Sequence, residues 1–499
     1  MASSSKTMPS YQYSPLAQDE IRLIRLWPGP IAADNIELEV FHALKEPRPE
    51  FEALSYPWGD PKHTYSVLVK QKTTQPGERI TRLSSKRRKV DTDASSILPI
   101  AHNLAVALRH LRRPKKARIL WVDAICINQR DDAEKSREVL RMGAVYRNAK
   151  VVIVWLGPSA DNSTLALNTL ARLGEGVNFY PAEHRVECRS GSWAETLQFD
   201  EQALQAKSPS WVAIGSLLRR EWFGRLWVVQ EIALASSSVL IAGNYSIDWE
   251  LFRIGIYWVW MMIHSLNRLL ENSNIEDPRK TCIKGLLDVS DRIQTVRLTL
   301  MDILYLTRMA SCSDKRDRLF GIRALLAVDD RRLIEPDYSL QTEEVYKATT
   351  ITHITSHERL DILNLCVLQN SLSDLKGPSW VPDFSVQDRP EAIYDTEADG
   401  FALANYSIAD ENVFTVHGVK VAAISNVLAS NLSKESTDTE LVDACHTWRQ
   451  HLRLSDAYVS GGSIENAFIE TVMCGRTQET VPESSGFFFP LQILVSMSC

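Results

Sequence analysis

Asp123, Asn128 and Arg130 crowd the end of a short apolar run, RILWVD (118 to 123), and Ser55, Trp58 and Asp60 crowd the end of another, FEALSY (51 to 56). Open α/β sheets bind ligands in the crevice outside the carboxyl ends of their strands, so polar side chains gathered there are candidates for a site. The same residue types also cap turns by bonding nearby backbone, and the cluster reads either way. A second candidate is Glu231, the one acid in LWVVQEIALA (226 to 235), four residues beyond Trp227 and therefore on the same helix face. A carboxylate in such apolar surroundings needs a partner. Either it forms a buried ion pair with Arg220 or Arg225, or it is held beside a pocket for chemistry.

Stronger catalytic signatures are absent from the 499 residues. No G-x-x-x-x-G-K-[ST] loop is present to cradle a nucleotide phosphate, and Gly174-Glu175-Gly176 lacks the third glycine and the preceding strand of a dinucleotide fingerprint. No H-E-x-x-H occurs, and Gly461-Gly462-Ser463 lacks the closing glycine of a nucleophile elbow. The eight cysteines lie far apart, without Cys-x-x-Cys or the histidine spacing of a zinc site. They read as reduced thiols in an intracellular protein, and no metal is expected.

The candidate residues need a frame to hold them, and the first half of the chain supplies one. RILWVD and KVVIVWL (150 to 156) are apolar runs without alternation, as in strands covered on both faces. Between them Asp131 and Glu134 have the spacing of a capping box, and Val139, Met142, Val145 and Tyr146 recur at helical spacing. Upstream, Ile100, Leu104, Leu108 and Leu111 form a helical stripe. Downstream, Trp211 to Ala235 reads as two helices split at Phe223-Gly224, and Ser238 to Ile247 as a strand pair turning at Gly243-Asn244. The expected fold is α/β: an open, mostly parallel sheet flanked by helices, then a mainly helical region and a small mixed α+β part. The expected boundaries are 1–46 for an N-terminal extension and first strand, 47–236 for the main domain with an inserted loop 71–97, 237–355 for the helical region and 356–499 for the remainder.

Composition narrows the partners. Fifty-six Lys+Arg against 62 Asp+Glu give a net charge of −6, so no positive field exists to hold a nucleic acid backbone. The most apolar window, IGIYWVWMMI (254 to 263), is half the ~20 residues that cross a bilayer, and a buried helix is expected there. The N-terminus has no charged start followed by an apolar run, which argues against secretion and for a cytoplasmic protein. The cluster Lys86-Arg87-Arg88-Lys89 has the composition of a nuclear-import signal and equally that of a solvated loop.

Three long segments, FEALSYPWGD (51 to 60), LWVDAICINQRDDAEKSREVLRMGAVYRNAKVVIVWLG (120 to 157) and REWFGRLWVVQEIALA (220 to 235), resemble the three blocks of the fungal heterokaryon incompatibility (HET) domain, in order. DKRDRLFGIRALL (314 to 326), EPDYSLQTEEVY (335 to 346) and PSWVPDF (378 to 384) resemble segments that follow those blocks in stand-alone family members. Pro57 departs from the small or β-branched residue usual in the family, and the insertion after Lys70 is longer than usual.

The resemblance implies a fungal protein of non-self recognition whose HET domain triggers programmed cell death through protein partners or self-assembly. It also implies a likeness to TIR domains: FEALSY resembles their first box, and Trp227 to Glu231 has their W-x-x-x-E spacing. On that likeness the chain is a NAD glycohydrolase. Glu231 would be its catalytic carboxylate, bonding the nicotinamide ribose and stabilising positive charge as the glycosidic bond breaks. Trp227 would pack under the ring, with Ser55, Trp58, Asp123, Asn128 and Arg130 around the pocket. NAD would then be a substrate, and no cofactor is otherwise implied. The sequence thus carries two readings, a partner-binding death effector and an NAD-cleaving enzyme.

Overall fold

The computed structural model describes residues 8–70, 95–180, 185–197, 208–270, 278–293, 295–366, 375–387, 403–409, 412–418 and 438–450. Lys86 to Lys89, and residues 71–94 of the expected insertion, lie outside the described residues.

The strands are β1 (Glu20–Leu26), β2 (Glu37–Leu44), β3 (Glu52–Ser55), β4 (Thr64–Lys70), β5 (Ser95–Ala101), β6 (Arg118–Trp121), β7 (Val152–Gly157), β8 (Val177–Tyr180), β9 (Arg185–Cys188), β10 (Ser238–Ala242) and β11 (Tyr245–Asp248). Nine of them form one sheet in the order β11-β10-β7-β3-β6-β1-β2-β4-β5, and β8 and β9 pair separately. β10, β7, β3 and β6 are consecutive parallel neighbours. β1 is antiparallel to both its neighbours, β2 and β4 are parallel, and β11 and β5 turn back at the edges. Six of the nine strands therefore point one way, as the sequence predicts for a mostly parallel open sheet.

Burial explains the placement. β3 and β7 are buried almost throughout, as strands covered on both faces must be. β4 and β5, at one end of the sheet, alternate between buried and more exposed residues, as strands with one wet face do. Pro99, which cannot donate to a ladder, is tolerated because β5 ends the sheet. β5 begins at Ser95, inside the range read as an insertion, and it takes Ile100 as a strand residue. The helix that follows, His102–Leu111, buries Leu104, Leu108 and Leu111.

From β6 the chain crosses β3 through the helix Asp132–Asn148 and returns as β7. Asp131 caps that helix by accepting from the Glu134 N–H at 3.0 Å. The reciprocal half of the capping box is replaced: Glu134 accepts from the Asn128 N–H (2.7 Å) and from Arg22 (2.6 Å). One contiguous core then runs from Ile21 to Phe384, so the helical segments after the sheet share its interior. In the helix Trp249–Leu270, Tyr257 and Trp258 are buried, as expected for the aromatic window, and no described helix is long and apolar enough to cross a membrane. It lies against the helix Ser163–Glu175 at two glycines. A Cβ on Gly174 would come within 2.3 Å of the Leu251 carbonyl, and one on Gly255 within 2.5 Å of the Leu170 carbonyl. Arg318, almost fully buried, donates to the carbonyls of Thr307, Arg308 and Ala310 and so satisfies the end of the helix Leu300–Leu306. Beyond the core, β12 (Tyr406–Ala409) pairs with β13 (Val413–Val416), and a helix spans Asp438–Gln450. Cys126 and Cys312 are free thiols.

Candidate functional site

β3, β6 and β7 end side by side, and the segments leaving β3 and β6 meet. After β3 the chain turns through Trp58 and Gly59; Gly59 holds φ +74°, and a Cβ there would come within 2.5 Å of Asn103. Trp58 can thereby aim its indole N–H at Asp123 Oδ2 (2.8 Å), while the Ala124 N–H reaches Oδ1 (2.7 Å). Asp123 is buried, and burial pushes its carboxyl above the usual range against the pull of Arg225. Arg225 follows the short turn Glu221–Gly224 and donates to the Tyr56 carbonyl. Its charge lies within electrostatic reach of both Asp123 and Glu231.

Glu231 sits in the helix Trp227–Ala233, 2% exposed. Burial pushes its carboxyl up to about 7, against Arg225 and the Ser55 hydroxyl, which favour the charged form. Ser55 in turn accepts from the Trp222 indole at 2.7 Å. Tyr146, fully buried, is near enough to bias Glu231 toward ionisation, yet neither its hydroxyl nor Glu231 Oε2 completes a hydrogen bond of ordinary geometry. The cation that faces Glu231 is Arg225; Arg220 instead donates to the carbonyls of Leu156 and Ala160.

A cavity of about 770 Å³ opens beside this cluster. Trp58, Asp123, Arg225 and Trp227 line one side; Cys312, Asp314, Asp317 and Tyr338 line the other. Backbone bonds from Ser311 N–H to the Gly224 carbonyl (2.7 Å) and from Leu226 N–H to the Ser311 carbonyl (2.9 Å) join the two walls. A second indole closes the gap: Trp227 donates to Asp317 Oδ2 at 3.0 Å, and the Tyr338 hydroxyl donates to Oδ1 at 2.5 Å. Burial raises the carboxyl of Asp317 as well, against these two donors.

The structure therefore brings Trp58, Asp123 and Trp227 to one cavity and keeps Ser55 and Glu231 in the packed layer, outside its lining. Asn128 and Arg130 do not line it either. Asn128 Oδ1 accepts from the Arg130 N–H at 3.3 Å within the turn, and the Arg130 side chain is exposed. Among the described residues no group of three or more His, Cys, Asp or Glu is arranged to hold a metal. Asp317 and Tyr338 are site residues that sequence reasoning did not single out. Asp317 is one of five charged residues in DKRDR (314 to 318), and only its contact with Trp227, 90 positions away, distinguishes it.

Comparison with known proteins finds a family model that matches part of the chain and a similar relative. Residues 51–231 match the family model described as heterokaryon incompatibility protein (HET). The chain is similar to "Heterokaryon incompatibility protein 6, OR allele" of Neurospora crassa, 26% identical over 411 residues that cover 73% of this chain and 58% of that relative's length. No solved structure matches the chain.

Proposed function

Taking as premise that this chain carries a HET domain, we propose that it acts in fungal non-self recognition and triggers cell death by engaging protein partners or further copies of itself. The observation that carries this reading is how the strand-end carboxylates are used. Asp123 accepts from Trp58 and the Ala124 N–H, and Glu231 lies in the packed layer beside Arg225 and outside the cavity. Side chains used in this way set the shape of the loops that a partner meets. Cytoplasmic placement belongs to the same proposal, with nuclear entry through Lys86 to Lys89 as its alternative.

A second reading, cleavage of NAD with Glu231 as the catalytic carboxylate, is favoured by one observation. Glu231 is pushed up to about 7 and has an oxygen without a hydrogen-bond partner, a combination common at active sites. Full-length wild type and Glu231→Gln, expressed in a fungal host, separate the two. The partner-binding reading expects both chains to kill and cellular NAD to stay level until viability falls. NAD loss that precedes death, and that Glu231→Gln abolishes together with killing, would establish the enzyme instead.

A further inference from the structure

Counted by charge, the cavity between the HET segment and the helical region is acidic: Asp123, Glu221, Asp314 and Asp317 face Lys135 and Arg225. Counted by unused hydrogen-bonding capacity, it is the reverse. Both oxygens of Asp123 accept, from Trp58 and Ala124. Both oxygens of Asp317 accept, from Trp227 and Tyr338. Asp314 is occupied by Arg316, through Nε to Oδ1 at 3.0 Å and Nη2 to Oδ2 at 2.7 Å. Glu221 is exposed.

The donors are under-used. Among the described residues the Arg225 side chain makes one hydrogen bond, to the Tyr56 carbonyl, from a guanidinium that carries five N–H groups. The Lys135 side chain makes none among the described residues; its ammonium rests over the Tyr338 ring, 3.5 Å from the centroid. Ser313, on the far wall, has no hydrogen-bond partner for its hydroxyl among the described residues. Flat apolar surface is also on offer: Trp58 is 40% exposed although its N–H is fixed, and Trp227 is held by Asp317 with part of its ring toward the cavity.

We infer that this cavity binds a small organic acid with a flat apolar body, its anionic group on Arg225 with Lys135 as the second cation and its body against Trp58 and Trp227. The volume of about 770 Å³ is that of a small-molecule pocket. A carboxylate or phosphate matches the planar fork of an arginine; of the wall carboxylates, Asp314 is charge-paired with Arg316, and burial favours the neutral form of Asp123 and Asp317, which lessens their repulsion of an anion. Because one wall comes from residues 51–231 and the other from residues after 281, an occupant touches both and stabilises their junction by binding the folded form alone. The site is independent of whether the chain kills through partners or through NAD, since binding is read directly.

Isothermal titration calorimetry on the full chain tests it with pairs of probes that share a body and differ in charge. Indole-3-acetate is set against tryptamine for a carboxylate, and adenosine monophosphate against adenosine for a phosphate. The expected result is that at least one acid binds, by about tenfold or more over its uncharged or cationic counterpart, and that Lys135→Gln or Arg225→Gln weakens it by a similar factor. Whichever acid binds more tightly identifies the anionic group. Lys135→Gln guards against misfolding of the Arg225 variant, since the Lys135 side chain makes no hydrogen bond among the described residues whose loss would disturb the fold. Tighter binding of tryptamine than of indole-3-acetate overturns the inference, as does acid binding unchanged in both variants or the absence of binding by every probe at millimolar concentration.

Discussion

Glu134 and Glu231 are both buried beside an arginine near the same strand ends, 4% and 2% exposed, and they reach opposite electrostatic states. Burial works against the charge on Glu134, but Arg22 reaches both its oxygens (2.6 and 3.2 Å) and the Asn128 N–H adds a third donor, so the carboxyl ends below its usual range. Arg22 also holds the carbonyls of Cys126 and Ser14, which joins β1 to the turn after β6. Glu231 faces Arg225 through charge and has one oxygen without a partner, so burial prevails and its carboxyl rises to about 7. The residue types are the same in the two places. What differs is the number of donors aimed at the carboxylate, and that number separates a strut from a group able to change its proton.

The largest effect expected is at the strut. Arg22→Met leaves a buried glutamate with one backbone donor and should cost about 3–5 kcal/mol in urea unfolding, since it strands an uncompensated charge. Adding Glu134→Gln should recover part of that loss, because the charge is gone. A single-variant loss under about 1 kcal/mol would mean that the pair does not hold the β6 turn, and the comparison would fail on that side.

The next effect is in pH, where the two glutamates carry opposite signs. Glu134 has a depressed folded value, so its contribution is present above 4.5 and is lost as pH falls through the lower folded value. Glu231 has a raised folded value, so the folded state holds a proton that the unfolded chain releases above 4.5. Its contribution is complete below 4.5 and declines as pH rises toward about 7. The decline should total on the order of 3 kcal/mol and should vanish in Glu231→Gln. Unfolding wild type and Glu231→Gln at pH ~5 and ~7.5 checks it: the variant should gain relative to wild type at the higher pH, and parallel slopes would show that Glu231 is ionised like Glu134.

Much of the frame is legible because it is written locally. The unbroken apolar runs of β6 and β7, the strand ending in Ser55 and the Gly243-Asn244 turn of β10 and β11 each lie within a few residues and need no distant partner. The two states of the glutamates are not written that way. Glu134 has the spacing of a capping box, but an arginine 112 positions away takes its side chain. The sequence offers Glu231 either Arg220 or Arg225 as partner, and only the fold assigns Arg220 to the β7 loop and Arg225 to the centre. Asp317 and Tyr338 belong to the far wall of the cavity, yet their meaning depends on a tryptophan that the chain brings over from position 227.

The smallest effects come from the two indole clasps, and they ask whether donor count governs aspartates as it does glutamates. Trp227→Phe keeps most of the ring and removes the N–H from Asp317, which is left with Tyr338 alone in a site that already raises its carboxyl. That should cost about 1–3 kcal/mol, the loss expected when a buried acceptor gives up a donor. Trp58→Phe removes the matching N–H from Asp123, but Trp58 is 40% exposed and Asp123 keeps the Ala124 N–H, so water can take the place of the indole at a cost below about 1 kcal/mol. Urea unfolding of the two variants side by side gives the order. If Trp58→Phe proves the costlier, access of water does not compensate at the cavity mouth, and the count of protein donors alone is not what sets the state of a buried carboxylate here.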